Sequence, residues 1–337
     1  MKLFQRLLVA PAALGLMAPV AVNADTFSST TTLGGSAFFT TGSISNGTGD
    51  TNEELYTQYA YGLDMTSSFT GEDSLYVGIE TGNASGPLGS MDSAVAPDTA
   101  DVLSVHSAFY SFPVGDIAVT AGPLVDQDDV VGATTSKYSD SFRLGSMPYS
   151  LAGSETGPGV GVTYANDSGV VVSASFVADD GADSDKGINT DDGNDVTTFT
   201  LGYNGDGFGG GLIVASNDGD VGTVGYDTFG IGAYYTPESI AATISVAYDT
   251  KDPETGSDEQ DFFVGVDYEV GPGTLSFAWN SSENDDSGDT TDSTGFEVAY
   301  SYAVNDNVTV TPGFFTVGET TSDEEDSGVV LETTFSF

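Results

Sequence analysis

Strand-forming stretches in this chain are separated by breaks that alternate long and short from Phe27 to Phe337. Long breaks at 43–53, 81–100, 125–159, 179–195, 217–225, 249–261, 280–294 and 318–327 interleave with short ones at 70–73, 113–116, 166–169, 204–207, 236–239, 271–273 and 304–307. A meander barrel crossing an outer membrane has this asymmetry, with tight turns on the periplasmic side and longer loops outside. A soluble sheet has no reason to keep its two ends so different. The rhythm therefore implies a location and a job together, a pore through a membrane.

Between the breaks, apolar and polar residues alternate with period two, as half-buried strands require. Phe262-Val264-Val266-Tyr268-Val270 is the clearest row, with Phe263, Gly265, Asp267 and Glu269 opposite. Phe296-Val298-Tyr300-Tyr302, Tyr59-Tyr61-Leu63-Met65 and Val329-Leu331-Thr333-Phe335-Phe337 repeat it. Sixteen segments follow: 26–42, 54–69, 74–80, 101–112, 117–124, 160–165, 170–178, 196–203, 208–216, 226–235, 240–248, 262–270, 274–279, 295–303, 308–317 and 328–337. The expected fold is thus all-β, a 16-stranded antiparallel transmembrane barrel with both termini in the periplasm, wide enough for water. A soluble sandwich or β-helix also alternates. Aromatic residues near strand ends (Tyr234, Tyr235, Tyr268, Trp279, Tyr300, Tyr302, Phe335, Phe337) favour the membrane as interfacial girdles. Pro312 falls inside the fifteenth segment, where a bulge or shifted strand end is expected because proline cannot donate to a ladder.

Residues 1–24 read as a cleaved export signal, leaving 25–337 as the barrel. Lys2 and Arg6 form a basic start, Leu7 to Val22 an apolar stretch, and Val22-Asn23-Ala24 a small-residue cleavage site. No other segment has the 18 consecutive apolar residues of a membrane helix. Cysteine is absent, so neither disulfides nor thiolate metal sites contribute. Losing Lys2 and Arg6 takes the formal charge from −45 to −47, with four basic residues against 51 acidic ones. Nucleic acid is a poor partner for such a chain. Solubility in salty water and a cation-favouring pore both account for the acidity.

The longest break, 125–159, follows the fifth segment and is expected to fold inward, since a wide barrel needs narrowing to be selective. It carries Asp126, Asp128, Asp129, Lys137, Asp140 and Arg143. Opposed acidic and basic groups across a constriction would create a transverse field. Lys137 and Arg143 are expected either to line that constriction or to neutralise neighbouring aspartates. Alternation also points Asp64, Glu80, Asp267, Glu269, Glu297 and Glu332 into the lumen, because charges facing lipid cost up to about 2–4 kcal/mol near the midplane. Their sum predicts a preference for cations. Asp227 is left out, as it shares a face with Phe229 and Ile231.

Other chemistry finds little footing. Gly205-Asp206-Gly207-Phe208-Gly209-Gly210 matches a dinucleotide pattern, but strand formers follow it where a helix is needed. The aspartate-rich outer loops allow weak divalent-cation binding, without the glycine placement of a defined calcium loop. His106 is the lone histidine and no Gly-x-Ser-x-Gly turn occurs. The reading is of a non-enzyme without cofactors, the competing ones being an acidic secreted β-rich surface protein or adhesin, and a barrel enzyme using His106.

The leader Met1–Arg6, continued through Ala10-Pro11-Ala12-Ala13-Leu14-Gly15, resembles those of cyanobacterial outer-membrane porins. Ala108-Phe109-Tyr110-Ser111-Phe112-Pro113-Val114-Gly115-Asp116, then Val119 to Pro123, is similar to their strand-turn-strand ahead of the inner loop. That family is related to the carbohydrate-selective (OprB-like) porins. The resemblance implies an outer-membrane homo-trimer for passive diffusion of small hydrophilic solutes, with sugars, inorganic ions and iron as options. Typical members carry an S-layer homology domain before the barrel. Here Asp25 leads almost directly into the first strand, so wall anchoring by that route is not expected. Phe337 resembles the aromatic end by which the barrel-assembly machinery recognises its clients.

Overall fold

The computed structural model describes residues 30–45, 54–91, 93–95, 102–139, 155–190, 192–220, 224–286, 289–290, 292–319 and 325–337. The expected export signal at 1–24 lies outside these residues. Sixteen long strands form one antiparallel sheet: β1 (Thr30–Ser45), β2 (Tyr56–Ser68), β3 (Ser74–Gly82), β4 (Ser104–Val114), β5 (Ile117–Asp126), β6 (Thr156–Ala165), β7 (Val170–Ala178) and β8 (Asp195–Asn204) continue into β9 (Phe208–Asn217), β10 (Tyr226–Tyr235), β11 (Ala242–Pro253), β12 (Glu259–Val270), β13 (Gly273–Asp286), β14 (Ser293–Asn305), β15 (Val308–Glu319) and β16 (Glu325–Ser336). Each strand pairs with the next. The sheet closes where β16 returns to β1, from Ser36 opposite Ser336 to Ser45 opposite Ser327. Phe337 extends that seam, exchanging two backbone hydrogen bonds with Gly35 at 2.9 and 3.0 Å.

Alternation assigns the two faces. Along β8, Phe199, Leu201 and Tyr203 are exposed on the outside, while Thr198 and Thr200 are buried on the inside. Tyr164, Tyr203, Phe208, Tyr235, Tyr268 and Tyr302 are all exposed near the short-turn ends of their strands, a girdle at one membrane interface. Tyr234 departs from the expected girdle. It points inward, where its hydroxyl donates to the Gly205 carbonyl at 2.7 Å.

Strands extend further than expected on the long-loop side. The β11–β12 ladder runs to Lys251 opposite Glu259, and β13 runs to Asp286. Polar residues can keep pairing above the bilayer, where no apolar row marks them. Thr156 and Gly157 join β6 across an irregularity opposite Gly122–Val125, a stretch that includes Pro123. Pro312 faces outward and keeps its partner Leu331 on β16. On the β14 side the pairing resumes in register beyond residues 311 and 312, and the Ser301 and Thr311 hydroxyls meet at 3.2 Å across the gap. The bulge lies instead at Ala303/Asn305.

Asp73 organises the turn between β2 and β3. Its Oδ1 accepts from Ser68 Oγ, Phe69 N and Thr70 N, each at 2.8 Å, and its Oδ2 from the Tyr110 hydroxyl. Burial works against the charge, but the hydrogen bonds, led by Tyr110, win and hold this carboxyl well below the usual range. Asp73→Ala is therefore expected to destabilise the barrel by about 1–3 kcal/mol, read as an earlier loss of the compact band in heat-modifiable gel mobility. Because the folded pKa is depressed, the advantage of Asp73 over Asn is full above the ordinary carboxylate pKa of about 3.9 and shrinks only in stronger acid. An advantage already lost near neutrality would contradict this.

Candidate pore constriction

Beyond β5 the chain enters a short 3-10 turn at Gln127–Val130, closed by a reciprocal cap. Asp126 accepts from Asp128 N at 2.9 Å, and Asp126 N–H donates to Asp129 Oδ2 at 2.9 Å. Asp126 also accepts from Thr156 Oγ1 at 2.7 Å, which ties the turn to the start of β6. Two of the acids expected at a constriction thus shape the bend that redirects the chain. Burial, and after it the charge of Asp126, lifts the Asp129 carboxyl well above the usual range.

The next ten residues run across inward-facing side chains of successive strands. Val130 packs into a buried cluster with Val125, Val177, Val196 and Ala215. Gln127 Nε2 donates to Thr198 Oγ1 on β8 at 2.7 Å. Asn204 clamps two backbone groups, accepting from Thr134 N at 2.9 Å and donating to the Gly132 carbonyl at 3.2 Å. Lys137 N donates to Ser245 Oγ on β11 at 3.0 Å, and Ser139 N to Asp267 Oδ2 on β12 at 2.6 Å. Tyr138 reaches β14, its hydroxyl donating to Glu297 Oε1 at 2.7 Å. Its ring lies 5.3 Å from that of Phe263 and against Gly265, where an added Cβ would come within 2.5 Å of it.

Among the expected lumen acids, Asp64, Glu80, Asp267, Glu297 and Glu332 all point inward. They divide into two kinds. Glu297, Asp267 and Glu332 hold loop segments through hydrogen bonds, Glu332 accepting from Ser93 Oγ. Asp64 accepts from the Tyr76 hydroxyl at 2.5 Å on the wall of β2 and β3. Tyr76 lies in turn within electrostatic reach of Asp129 and Glu80, so one acid of the turn and two of the wall share its surroundings. Glu269 shares the inward face but sits exposed at the rim, opposite Thr274 beside the β12–β13 turn.

Lys137 lies over an aromatic ring of β10. Its ammonium stands 4.2 Å from the centroid of the Tyr234 ring, a cation–π contact at the periplasmic end of the wall. Arg143 lies outside the described residues. His106 occupies a bulge opposite Gly78, which turns both His106 and Ser107 inward, and the two side chains meet at 3.0 Å. The sequence reading missed Gln127, Asn204 and Tyr138, the side chains that fasten the segment.

Residues 10–325 match a family model described as Gram-negative porin. No curated protein matches the chain. Among solved structures, a loop-L8 deletion mutant of OmpT, an outer membrane protein of Vibrio cholerae, is similar at 16% identity, covering 92% of this chain and 100% of that one with a TM-score of 0.66. An anion-selective porin from Comamonas acidovorans is similar at 14% identity, with coverages of 92% and 100% and a TM-score of 0.62. A Rh. blastica porin mutant gives 15% identity, 91% and 100% coverage and a TM-score of 0.58. At such identities the likeness is one of fold.

The Tyr138 anchor has a direct test. Tyr138→Phe removes one hydrogen-bond donor from the buried Glu297, a change worth about 1–3 kcal/mol. Tryptic cleavage after Lys137 should accelerate in the folded barrel, and Gly265→Val should do the same by crowding the ring. Cleavage no faster than in the wild type would show that this anchor does not hold the segment.

Proposed function

Because the chain belongs to the Gram-negative porin family, we propose that it carries small hydrophilic solutes and ions passively across the outer membrane with a preference for cations. One observation supports the preference: Asp129 of the turn lies within electrostatic reach of Tyr76, beside Asp64 and Glu80 on the wall, while the Lys137 ammonium rests on Tyr234. A cation crossing this stretch meets negative charge from both sides, whereas an anion meets the same charge as a barrier. In this reading the 127–139 segment is the constriction, carrying Asp128, Asp129 and Lys137, with Asp126 before it and Arg143 after it.

Several narrower statements belong to the same proposal. Residues 1–24 act as the export signal, Phe337 as the mark read by the assembly machinery, and the barrel works as a homo-trimer. The outer aspartates hold divalent cations weakly. Kinship with cyanobacterial, carbohydrate-selective porins rests on the leader and on Ala108–Asp116, and makes sugars candidate solutes beside inorganic ions and iron. The reading as an acidic secreted surface protein loses its support, since the closed barrel and the family both speak for an integral outer-membrane protein.

Planar-bilayer recording under a salt gradient tests the preference. The wild type should give a cation-selective reversal potential that fades as salt screens the acids. Asp128→Asn with Asp129→Asn should move it toward zero. Acidification should do so from above the ordinary carboxylate range, because the raised pKa of Asp129 makes it take up a proton early. Neutralising Lys137 and Arg143 tests their part, and unchanged conductance and selectivity would remove them from the constriction. An anion-selective wild type would overturn the preference itself.

A further inference from the structure

Four large apolar side chains point inward where a water-filled lumen would be polar: Phe38 and Ile44 on β1, Phe315 on β15 and Val330 on β16. Each is covered by the loop that follows β3. Leu88 and Met91 close over Ile44, Phe315, Val330 and Ala299, and Val95 packs on Phe38 and Ala60. Gly42 on β1 makes room, since a Cβ there would come within 3.0 Å of the Leu88 side chain.

Polar contacts fix the same stretch. Gln58 accepts from Ser85 N at 3.2 Å and donates to the Leu88 carbonyl at 2.5 Å. Leu88 N donates to the Tyr56 hydroxyl at 2.7 Å, and Ser93 Oγ donates to Glu332. The loop also closes on itself, with Ala84 N donating to the Val95 carbonyl at 3.1 Å. Val317 packs against this cluster and against the one around Tyr138, so the two inward segments share a boundary.

We propose that residues 83–91 and 93–95 form a second pore-narrowing strap, seated dry on the β14–β16, β1 and β2 arc, which sets the size of solute the channel admits. This rests on the porin reading and adds to it a determinant of size rather than of charge. A strap seated this way fills part of the cross-section, and water and solutes keep only what it and the 127–139 segment leave free.

The test compares the full-length wild type with a barrel in which residues 85–94 are replaced by a short Gly-Ser linker. Single-channel conductance should rise roughly twofold, toward that of an unobstructed sixteen-strand channel. Proteoliposome swelling should extend to larger neutral oligosaccharides. A wild type that forms no channel would end the porin reading. A conducting wild type beside a folded, strapless barrel with the same conductance and the same sugar cut-off would overturn the strap alone. Because the natural chain has no cysteine, a single Met91→Cys keeps the proposal testable even if the linker variant fails to fold. A water-soluble maleimide should label it at least about tenfold more slowly than Lys137→Cys, as only local opening exposes a packed site. Equal rates would overturn the strap.

Discussion

The ladder between the first and last strands is the constraint on which everything else depends. In a bilayer no water satisfies an unpaired N–H or carbonyl, so a spanning sheet must have no edge. Ten residue pairs from Ser36/Ser336 to Ser45/Ser327 remove the edge, and the backbone exchange between Gly35 and Phe337 extends the seam to the last residue. Once the backbone is satisfied by closure, the side chains are free to divide. The outer face meets lipid with Phe, Tyr, Leu and Val, while the inner face can carry acids that would be costly against lipid near the midplane.

That inner face serves two demands which pull against each other. Water and ions need polar walls, yet two long loops need firm seats on the same walls. The structure answers with side chains that are polar but fully engaged. Glu297 and Glu332 are both buried, and each accepts from a loop hydroxyl, Tyr138 or Ser93. A buried carboxylate that loses its donor costs more than an exposed one, so these acids tie loop position to barrel stability. The three basic residues among those described are likewise engaged. Lys137 and Lys251 sit over Tyr234 and Tyr226, and Lys186 joins Asp180 to Asp220 at 2.7 Å each, bridging the loops after β7 and β9.

Strand number, order and facing were legible because lipid enforces them residue by residue. The expected spans of β7 and β10 coincide with the observed ones, and Asp227 falls on the outer face beside Phe229 and Ile231 as alternation requires. Legibility fades where lipid stops enforcing the pattern. The tops of β11, β12 and β13 pair through Thr250, Lys251, Glu259 and Gln260, and nothing in such polar residues separates a ladder from a loop. The roles of the acids were hidden for another reason. Period two says that Glu297 and Asp64 face inward, but not that one anchors a tyrosine from a distant loop while the other meets Tyr76 on its own wall.

A signal for the loop seats was nonetheless present, in doubled bulky residues within single strands. Strict alternation sends one member of such a pair to lipid and the other inside. Phe39 is 51% exposed and Phe38 1%, and Phe314/Phe315, Phe262/Phe263, Val329/Val330 and Tyr235/Tyr234 divide in the same way. Every inward member meets a loop: Phe38 meets Val95, Phe315 and Val330 meet Leu88 and Met91, Phe263 meets Tyr138, and Tyr234 carries Lys137. An apolar side chain facing an open aqueous lumen would leave its surface in water, at about 25 cal/mol per Å² relative to burial. A second bulky residue beside a lipid-facing one therefore marks where the lumen is filled rather than open. In a barrel of this kind, doubled bulky residues locate the inward segments from sequence, and glycines such as Gly42 and Gly265 beside them supply the room.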